Sequence, residues 1–528
     1  MVVRGLLVLA LSAACLAPGC SKKSSSGGGG APFVDYYAYF VRNGDLARAF
    51  VYNGDWNSGE YLDSLLTQWQ YVPHKTLAGS QVTYGYGIRF LVYRKLNGLW
   101  MFDTAAPHAP GNPRQISNDA NVGSIVAVVD AHQSDTAGTS TYVFFTTVPD
   151  SVTSTFSFRV ARCDGVSTSP SAALETAVPD TNAFTVAVPR KATDFAFYLM
   201  DGGTNALRRV SLAAFPAVAV DDMAGADDPQ QFLAVSQTRV VYRSAAGTIR
   251  KSDIAAPPVA TLYTPGGSET VQLADKIDLG MDSEIFWTSI VTGAPNQLSL
   301  RRKMYSDVAA TAPTVFDTGT YTTGVTVNRV AFTATRVVWA HVRDTTSYIR
   351  SFVRATPATS TDLLTGGRAL TAAAIHVFND AGAWRVLFGE SAGATNFRVC
   401  KAETGALINT YTFLGAVGPD ALNHMGTSFF DIALDLPAAG GTARLMFSDG
   451  LNLQTILLTL LPASLVPNGA WPADITVMTP QTSFRPQTCF SGTSTAPAQT
   501  EIFYLYAGAP GYLRQTYSPS SEFSIAAH

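Results

Sequence analysis

The amino-acid sequence predicts an all-β chain built from a repeated unit. Three observations carry that prediction. Hairpin patterns recur about every fifty residues, the intervals between them hold room for two more strands, and no stretch keeps the 3.6-residue apolar period of a long helix. Together they describe the four-stranded blades of a β-propeller.

The hairpins come first. "TRVVYRSAAGTIRKSDI" (238–254), "SEIFWTSIVTGAPNQLSLRRK" (283–303), "TRVVWAHVRDTTSYIRSFV" (335–353) and "EIFYLYAGAPGYLRQTY" (501–517) share one layout. Each is an apolar strand with an aromatic residue, then a turn of Gly, Ser, Thr, Asn or Asp, then a strand alternating apolar with polar residues. The aromatic of the first strand serves as a marker: Tyr93, Phe144, Phe197, Tyr242, Trp287, Trp339, Phe388, Phe447 and Tyr504 recur at intervals of about fifty residues. A further copy, "DYYAYFVRNGDLARAFVYN", places Tyr39 one such interval before Tyr93.

Between hairpins, "VATLYT" reads as an outer strand and "VQLADKIDLG" as the inner strand of the next unit. A lone four-stranded sheet leaves both faces wet, so units must stack on neighbours, which is why the pattern recurs. The expectation over 33–528 is a single closed β-propeller of about eight to ten four-stranded antiparallel blades, with two smaller propellers as the alternative.

Segments such as "NGLWMFDTAAPHAPGNPRQIS" and "AGTIRKSDIAAPPVATLYT" resemble the propeller repeats of the TolB family and of the propeller domain of dipeptidyl peptidases. The resemblance covers nearly all of the chain after residue 33. It implies the fold; function lives in the site rather than the fold.

Composition bounds the partners. Of 528 residues, 47% are apolar and 14% charged, and the formal net charge is −3. A surface carried by Thr, Ser, Gly and Asn, with no Lys/Arg run longer than three residues, argues against nucleic acid. The first nineteen residues, "MVVRGLLVLALSAACLAPG", pair Arg4 with a run of about ten apolar residues and read as an export signal, too short to span a bilayer as a helix. Cys20 follows, and "SKKSSSGGGGAP" after it is a flexible tether, so 20–32 resembles the lipidated start of a bacterial lipoprotein. Cys15 after "LSAA" competes as the acceptor, and a signal peptide without lipid is the other reading. Two or three acyl chains would hold the protein on the membrane. Ser21 after the cysteine resembles the signal for sorting to the outer membrane. Cys163, Cys400 and Cys489 remain, an odd number for disulfides.

"RVLFGESAG" (385–393) carries the Gly-x-Ser-x-Gly of a nucleophile elbow, which needs a strand, a sharp turn and then a helix. Here "ATNFRVCKAETG" alternates as a strand, and aligned on Phe388 the motif falls on the hairpin turn. Ser391 is therefore expected to be a turn residue. None of His74, His108, His132, His341, His376, His424 and His528 lies in a metal-ligand spacing, and no cofactor fingerprint is present. Asp221, Asp222, Asp227 and Asp228 in "VDDMAGADDPQQ" lack the alternating oxygens of a calcium loop and read as a solvated loop between blades. Trp56, Tyr61, Trp69 and Tyr71 lie in the least repeat-like stretch. They are candidates for stacking on a sugar or a partner, against the plainer reading of an inserted segment packed on the first blades.

Two functions are compatible with these features. One is a non-enzymatic binding or scaffold lipoprotein at a bacterial envelope, taking a protein or glycan on one propeller face. The other is a propeller enzyme acting on carbohydrate, with residues from several blades meeting at the central channel. No catalytic, cofactor or metal residues are assigned.

Overall fold

The computed structural model describes residues 36–42, 45–51, 60–73, 88–103, 109–117, 119, 121–130, 141–163, 171–188, 194–203, 205–255, 259–279, 282–365, 376–380, 383–391, 395–402, 404–405, 407–412, 433–435, 444–448, 453–457, 487–491, 499–506, 509–515 and 520–524. Cys20, the tether, Trp56 and five of the histidines (74, 108, 132, 424 and 528) lie outside them.

Every element among the described residues is a strand, and the strands form ten antiparallel sheets in chain order. Sheet I is β1 (Tyr36–Arg42), β2 (Asp45–Val51) and β3 (Glu60–Asp63). Sheet II is β4 (Leu66–Pro73), β5 (Ile88–Lys95), β6 (Gly98–Asp103) and β7 (Arg114–Ser117). Sheet III is β8 (Val122–Asp130), β9 (Thr141–Thr147), β10 (Thr155–Arg162) and β11 (Ala172–Pro179). Sheet IV is β12 (Ala183–Ala187), β13 (Phe195–Asp201), β14 (Ala206–Ser211) and β15 (Ala219–Asp222). Sheet V is β16 (Pro229–Ala234), β17 (Arg239–Ser244), β18 (Ile249–Asp253) and β19 (Ala260–Tyr263). Sheet VI is β20 (Glu269–Asp278), β21 (Ser283–Val291), β22 (Asn296–Met304) and β23 (Thr314–Tyr321). Sheet VII is β24 (Val325–Phe332), β25 (Arg336–Arg343), β26 (Thr346–Val353) and β27 (Ser360–Thr365). Sheet VIII is β28 (His376–Asp380), β29 (Ala383–Ser391), β30 (Thr395–Lys401) and β31 (Leu407–Thr412). Sheet IX is β32 (Ala433–Asp435), β33 (Arg444–Ser448) and β34 (Leu453–Leu457), and sheet X is β35 (Gln487–Ser491), β36 (Gln499–Tyr506), β37 (Ala509–Gln515) and β38 (Ser520–Ser524).

Among the described residues eight sheets thus have four strands, consistent with propeller blades, and the strand order in each follows the chain. The predicted outer and inner strands around 260 and 270 are β19 and β20. Residues 60–73 of the stretch taken as an insertion are instead the end of one sheet and the start of the next. Tyr61 lies on β3, and Trp69 on β4 stands opposite Tyr93. Its run of aromatics disguised the repeat.

Hairpin turns are made where the backbone enters the left-handed region. Leu96 and Asn97 have φ of 48° and 61°, matching the two positive values of a type I′ turn. Gly247 at +80° serves the β17–β18 turn, where a side chain would be strained.

The first strands of successive sheets lie side by side: β4 by β8, β8 by β12, β16 by β20, β20 by β24 and β24 by β28. Between sheets II and VIII, each of the six seams holds its own apolar cluster. The seam between VI and VII, for example, packs Phe286, Leu298, Leu300 and Phe316 against Val337, Trp339 and Phe352. Each strand therefore serves two cores, one through its odd residues and one through its even. At the inner edge, β8 and β20 carry register shifts against their second strands beside Ile125 and Leu273. At both places a glutamine amide from the preceding sheet takes up the backbone groups: Gln68 on Ile125 and Gln231 on Leu273.

The alternation also corrects the markers. Tyr93, Tyr242, Trp287 and Trp339 face the preceding sheet, but Phe144 and Phe197 face the following one. Their true counterparts are the next residues, Phe145 and Tyr198, which pack toward sheets II and III. All eight side chains are fully buried. In "VFF" and "FAFY" two aromatics fall within one or two residues, and a period of two hides which face each takes.

Candidate functional site: an arginine and carboxylate ladder across the seams

With the corrected register, an arginine recurs opposite the marker on the third strand of sheets III to VIII. Phe145 faces Arg159, Tyr198 faces Arg208, Tyr242 faces Arg250, Trp287 faces Arg301, Trp339 faces Arg350 and Phe388 faces Arg398. Sheet II replaces the arginine with Trp100 opposite Tyr93. Directly paired residues share a face, so in sheets III to VII the guanidinium stands beside the ring that enters the preceding seam.

An acid meets each rung of sheets III to VII. Asp119, on the segment leading into sheet III, lies 3.2 Å from Arg159. Glu175 of β11 accepts the Tyr198 hydroxyl at 2.8 Å and pairs with Arg208 at 3.6 Å. Asp227 accepts the Tyr242 hydroxyl at 2.7 Å and pairs with Arg250 at 2.9 Å. Glu269 accepts from Tyr263, Ser289, the Gly266 backbone N–H and Arg301. Asp317 of β23 pairs with Arg350, which also holds Asp362 at 2.6 Å. In sheet II, Asp63 accepts from Tyr93 and Lys95.

The electrostatics follow from burial. Burial opposes ionisation of Glu269, yet its four donors and the Arg301 charge hold the carboxyl below the usual range. Burial, reinforced by the hydrogen bond to Glu269, pushes the Tyr263 phenol up to about 12, and Tyr93, Tyr198 and Tyr242 are pushed higher for the same reasons. Each phenol is thus a fixed donor and each acid a fixed acceptor. Arranged this way, the groups lock neighbouring sheets in register. Withdrawing a carboxylate to act as a base would leave a phenol and a guanidinium unpaired in the seam.

The sequence candidates land around this ladder. Asp221 pairs with Arg209 and Asp222 with Arg208, while the Asp222 side chain also accepts the N–H of Ala224 and Gly225. Asp227 is a rung, and Asp228 accepts from Gln230. The acidic stretch thus runs from the end of β15 through the partly solvated loop between sheets IV and V, with its carboxylates held in ion pairs and turn bonds. Among the described residues no group of His, Cys, Asp and Glu is placed to hold a metal.

Ser391 ends β29 and stands opposite Thr395, and β30 follows the motif where an elbow would begin a helix. His341 is fully buried on β25, stacked 4.0 Å from the Trp339 ring and 5.2 Å from Tyr348, with no hydrogen-bond partner for either ring nitrogen among the described residues. Burial, with the charges of Arg343 and Arg350, lowers its pKa to about 3, so the ring is neutral. Cys163 is a buried thiol after β10, while Cys400 lies on β30 and Cys489 on β35, in different sheets.

Sequence reasoning missed the ladder. The available signal, in sheets III, V and VI, was an arginine on the strand after the preceding-facing aromatic with an acid at or just before the first strand of the same unit.

No protein-family model matches the chain, and no curated protein sequence matches it. Among solved structures, a post-proline cleaving enzyme from Rickettsia typhi aligns at 10% identity and a TM-score of 0.36, over 69% of this chain and 56% of that one. A puromycin-hydrolyzing peptidase of Mycobacterium tuberculosis aligns at 10% identity and 0.32, over 67% and 58%. A dihydro-heme d1 dehydrogenase aligns at 12% identity and 0.35, over 71% and 73%. The chain spans a little over half the length of the two peptidases.

Proposed function

We propose that this chain is an envelope-anchored lipoprotein whose repeats close into one β-propeller, and that the propeller is a non-enzymatic binding or scaffold module. The observation that carries the reading is the ladder. At successive seams the acids, phenols and guanidinium groups of the interior are committed to one another, an arrangement that supplies rigidity and leaves the outer turns to meet a partner. Ring closure is supported by the stepwise neighbouring of first strands from sheet II to IV and from V to VIII, by β13 lying beside β16 between IV and V, and by the approach of β1 to β37, the first sheet to the last. The anchor is assigned to Cys20, with the Ser/Gly tether as spacer and the outer membrane as the location. Its support is the sequence of 1–32.

The test is a turnover panel on the mature protein with glycoside, peptide and ester reporters and a fluorophosphonate probe. The expected result is neither turnover nor labelling. Turnover that scales with protein and survives repurification overturns the reading in favour of a channel enzyme.

A further inference from the structure

Strand direction gives the sheets two ends. The turns joining second to third strands and the segments entering each first strand lie at one end, tied by backbone hydrogen bonds. Val122 donates to Asn97, Val148 to Asn121 and Asp180 to Ser154, which links sheets II, III and IV in sequence. Along this line four aliphatic side chains stand out into solvent: Leu65 at 59% exposure, Leu96 at 74%, Val148 at 44% and Val152 at 89%. They are four of the eight large exposed hydrophobics among the described residues.

Leu65 and Leu96 are adjacent, since Leu66 stands opposite Lys95, and both have left-handed backbones, with φ of 66° and 48°. That conformation favours Gly or Asn, and exposure gives leucine nothing in return. Neither local geometry nor burial accounts for these residues, whereas a surface that another molecule covers does.

The charge around the patch selects the occupant. Lys95 is committed to Asp63, and Arg94 bonds Thr67 and the Gly123 carbonyl. The exposed charges along the line are acidic: Asp150 on the β9–β10 turn, Asp180 entering β12 and Asp201 ending β13. Asp150 accepts the N–H of Val152 and Thr153, which holds its carboxyl below the usual range and keeps the charge beside Val152. Negative charge at the rim repels an anionic lipid surface and attracts a cationic partner.

We infer that the turn end of sheets II to IV docks a protein segment presenting aliphatic or aromatic side chains flanked by lysine or arginine. The inference rests on the binding-module reading and names its partner surface. Apolar contact supplies affinity, and the acidic rim supplies orientation and salt dependence.

The test uses the mature chain, residues 20–528, made without lipid. Fluorescence anisotropy measures binding of a labelled twelve-residue peptide alternating Leu and Lys, with Leu/Glu and Ser/Lys peptides as controls. The Leu/Lys peptide is expected to bind at least about tenfold more tightly than either control. Leu96→Ser with Val152→Ser should weaken it about tenfold, and Asp150→Asn with Asp180→Asn several-fold with a flatter salt dependence, at unchanged melting temperature. Undiminished binding by the Leu96→Ser/Val152→Ser chain, or equal binding of the Leu/Glu peptide, overturns the inference. So does a blue shift of a Leu96→Trp reporter on neutral or anionic phospholipid vesicles, which would make the patch a membrane contact. The reporter-turnover panel is a separate measurement, so failure of the docking surface and failure of the binding-module reading are told apart.

Discussion

The side-chain amide of Gln231 brackets Leu273 across the seam between sheets V and VI. Its Oε1 accepts the Leu273 N–H at 2.9 Å, and its Nε2 donates to the Leu273 carbonyl at 3.1 Å. Gln68 makes the same two bonds to Ile125 between sheets II and III, at 2.7 and 3.0 Å. Both targets sit where the inner strand slips register and its own ladder cannot use those groups. Gln231→Leu and Gln68→Leu should each cost about 1–3 kcal/mol, the penalty of stranding a backbone donor and acceptor. Urea unfolding reads this directly; a loss below a few tenths of a kcal/mol would show that water replaces the amide.

The ladder predicts coupling between its phenols and acids. Tyr242→Phe and Asp227→Asn each remove one end of the 2.7 Å bond that ties β17 to the loop entering β16. In a double-mutant cycle the pair should show an interaction energy of about 0.5–3 kcal/mol. The Arg250–Asp227 contact alone, whose side chains are 31% and 24% exposed, should contribute less because water screens it. Additive single effects would mean the phenol and the acid act independently.

Ser391 should be dispensable. It closes a hairpin opposite Thr395, and Ser391→Ala is expected to shift stability by less than about 0.5 kcal/mol. Phe388→Ala should cost about 3–5 kcal/mol, since Phe388 holds the register position of Trp339, which is wholly buried. Thermal melts of the two variants separate the cases.

His341 predicts a pH dependence. Its folded pKa, about 3, is below the 6.5 of an unfolded histidine. The unfolded chain then binds the proton first, so the stability from a neutral His341 is present above pH 6.5 and is lost as pH falls from there toward 3. The slope for one proton is about 1.4 kcal/mol per pH unit. His341→Phe, stacked on the same Trp339 and Tyr348 rings, should flatten the stability profile in that window. An unchanged slope would assign the acid sensitivity to other groups.

How much of this was legible in the sequence depends on which forces act locally. Strand patterns, turns and the recurrence near fifty residues come from near neighbours, so β17 to β20 could be read off "TRVVYRSAAGTIRKSDI", "VATLYT" and "VQLADKIDLG". The face taken by Phe144 or Phe145 could not, because both are buried and only the packing of sheets II and IV on either side distinguishes them. The ladder was hidden for another reason. Arg301 reads as a solvent-facing strand residue until the pairing of β20, β21 and β22 into one sheet brings Glu269, 32 residues away, beside it. Exposed Leu96 looked like one apolar residue among many, since a positive φ leaves no mark on a leucine in the sequence.

The anchored binding module is tested most directly by the intact mass of the N-terminal peptide of the mature protein taken from envelope membranes. The account predicts a peptide beginning at Cys20 and carrying a thioether-linked diacylglycerol. An unmodified peptide, or one that begins at Cys15, would contradict it.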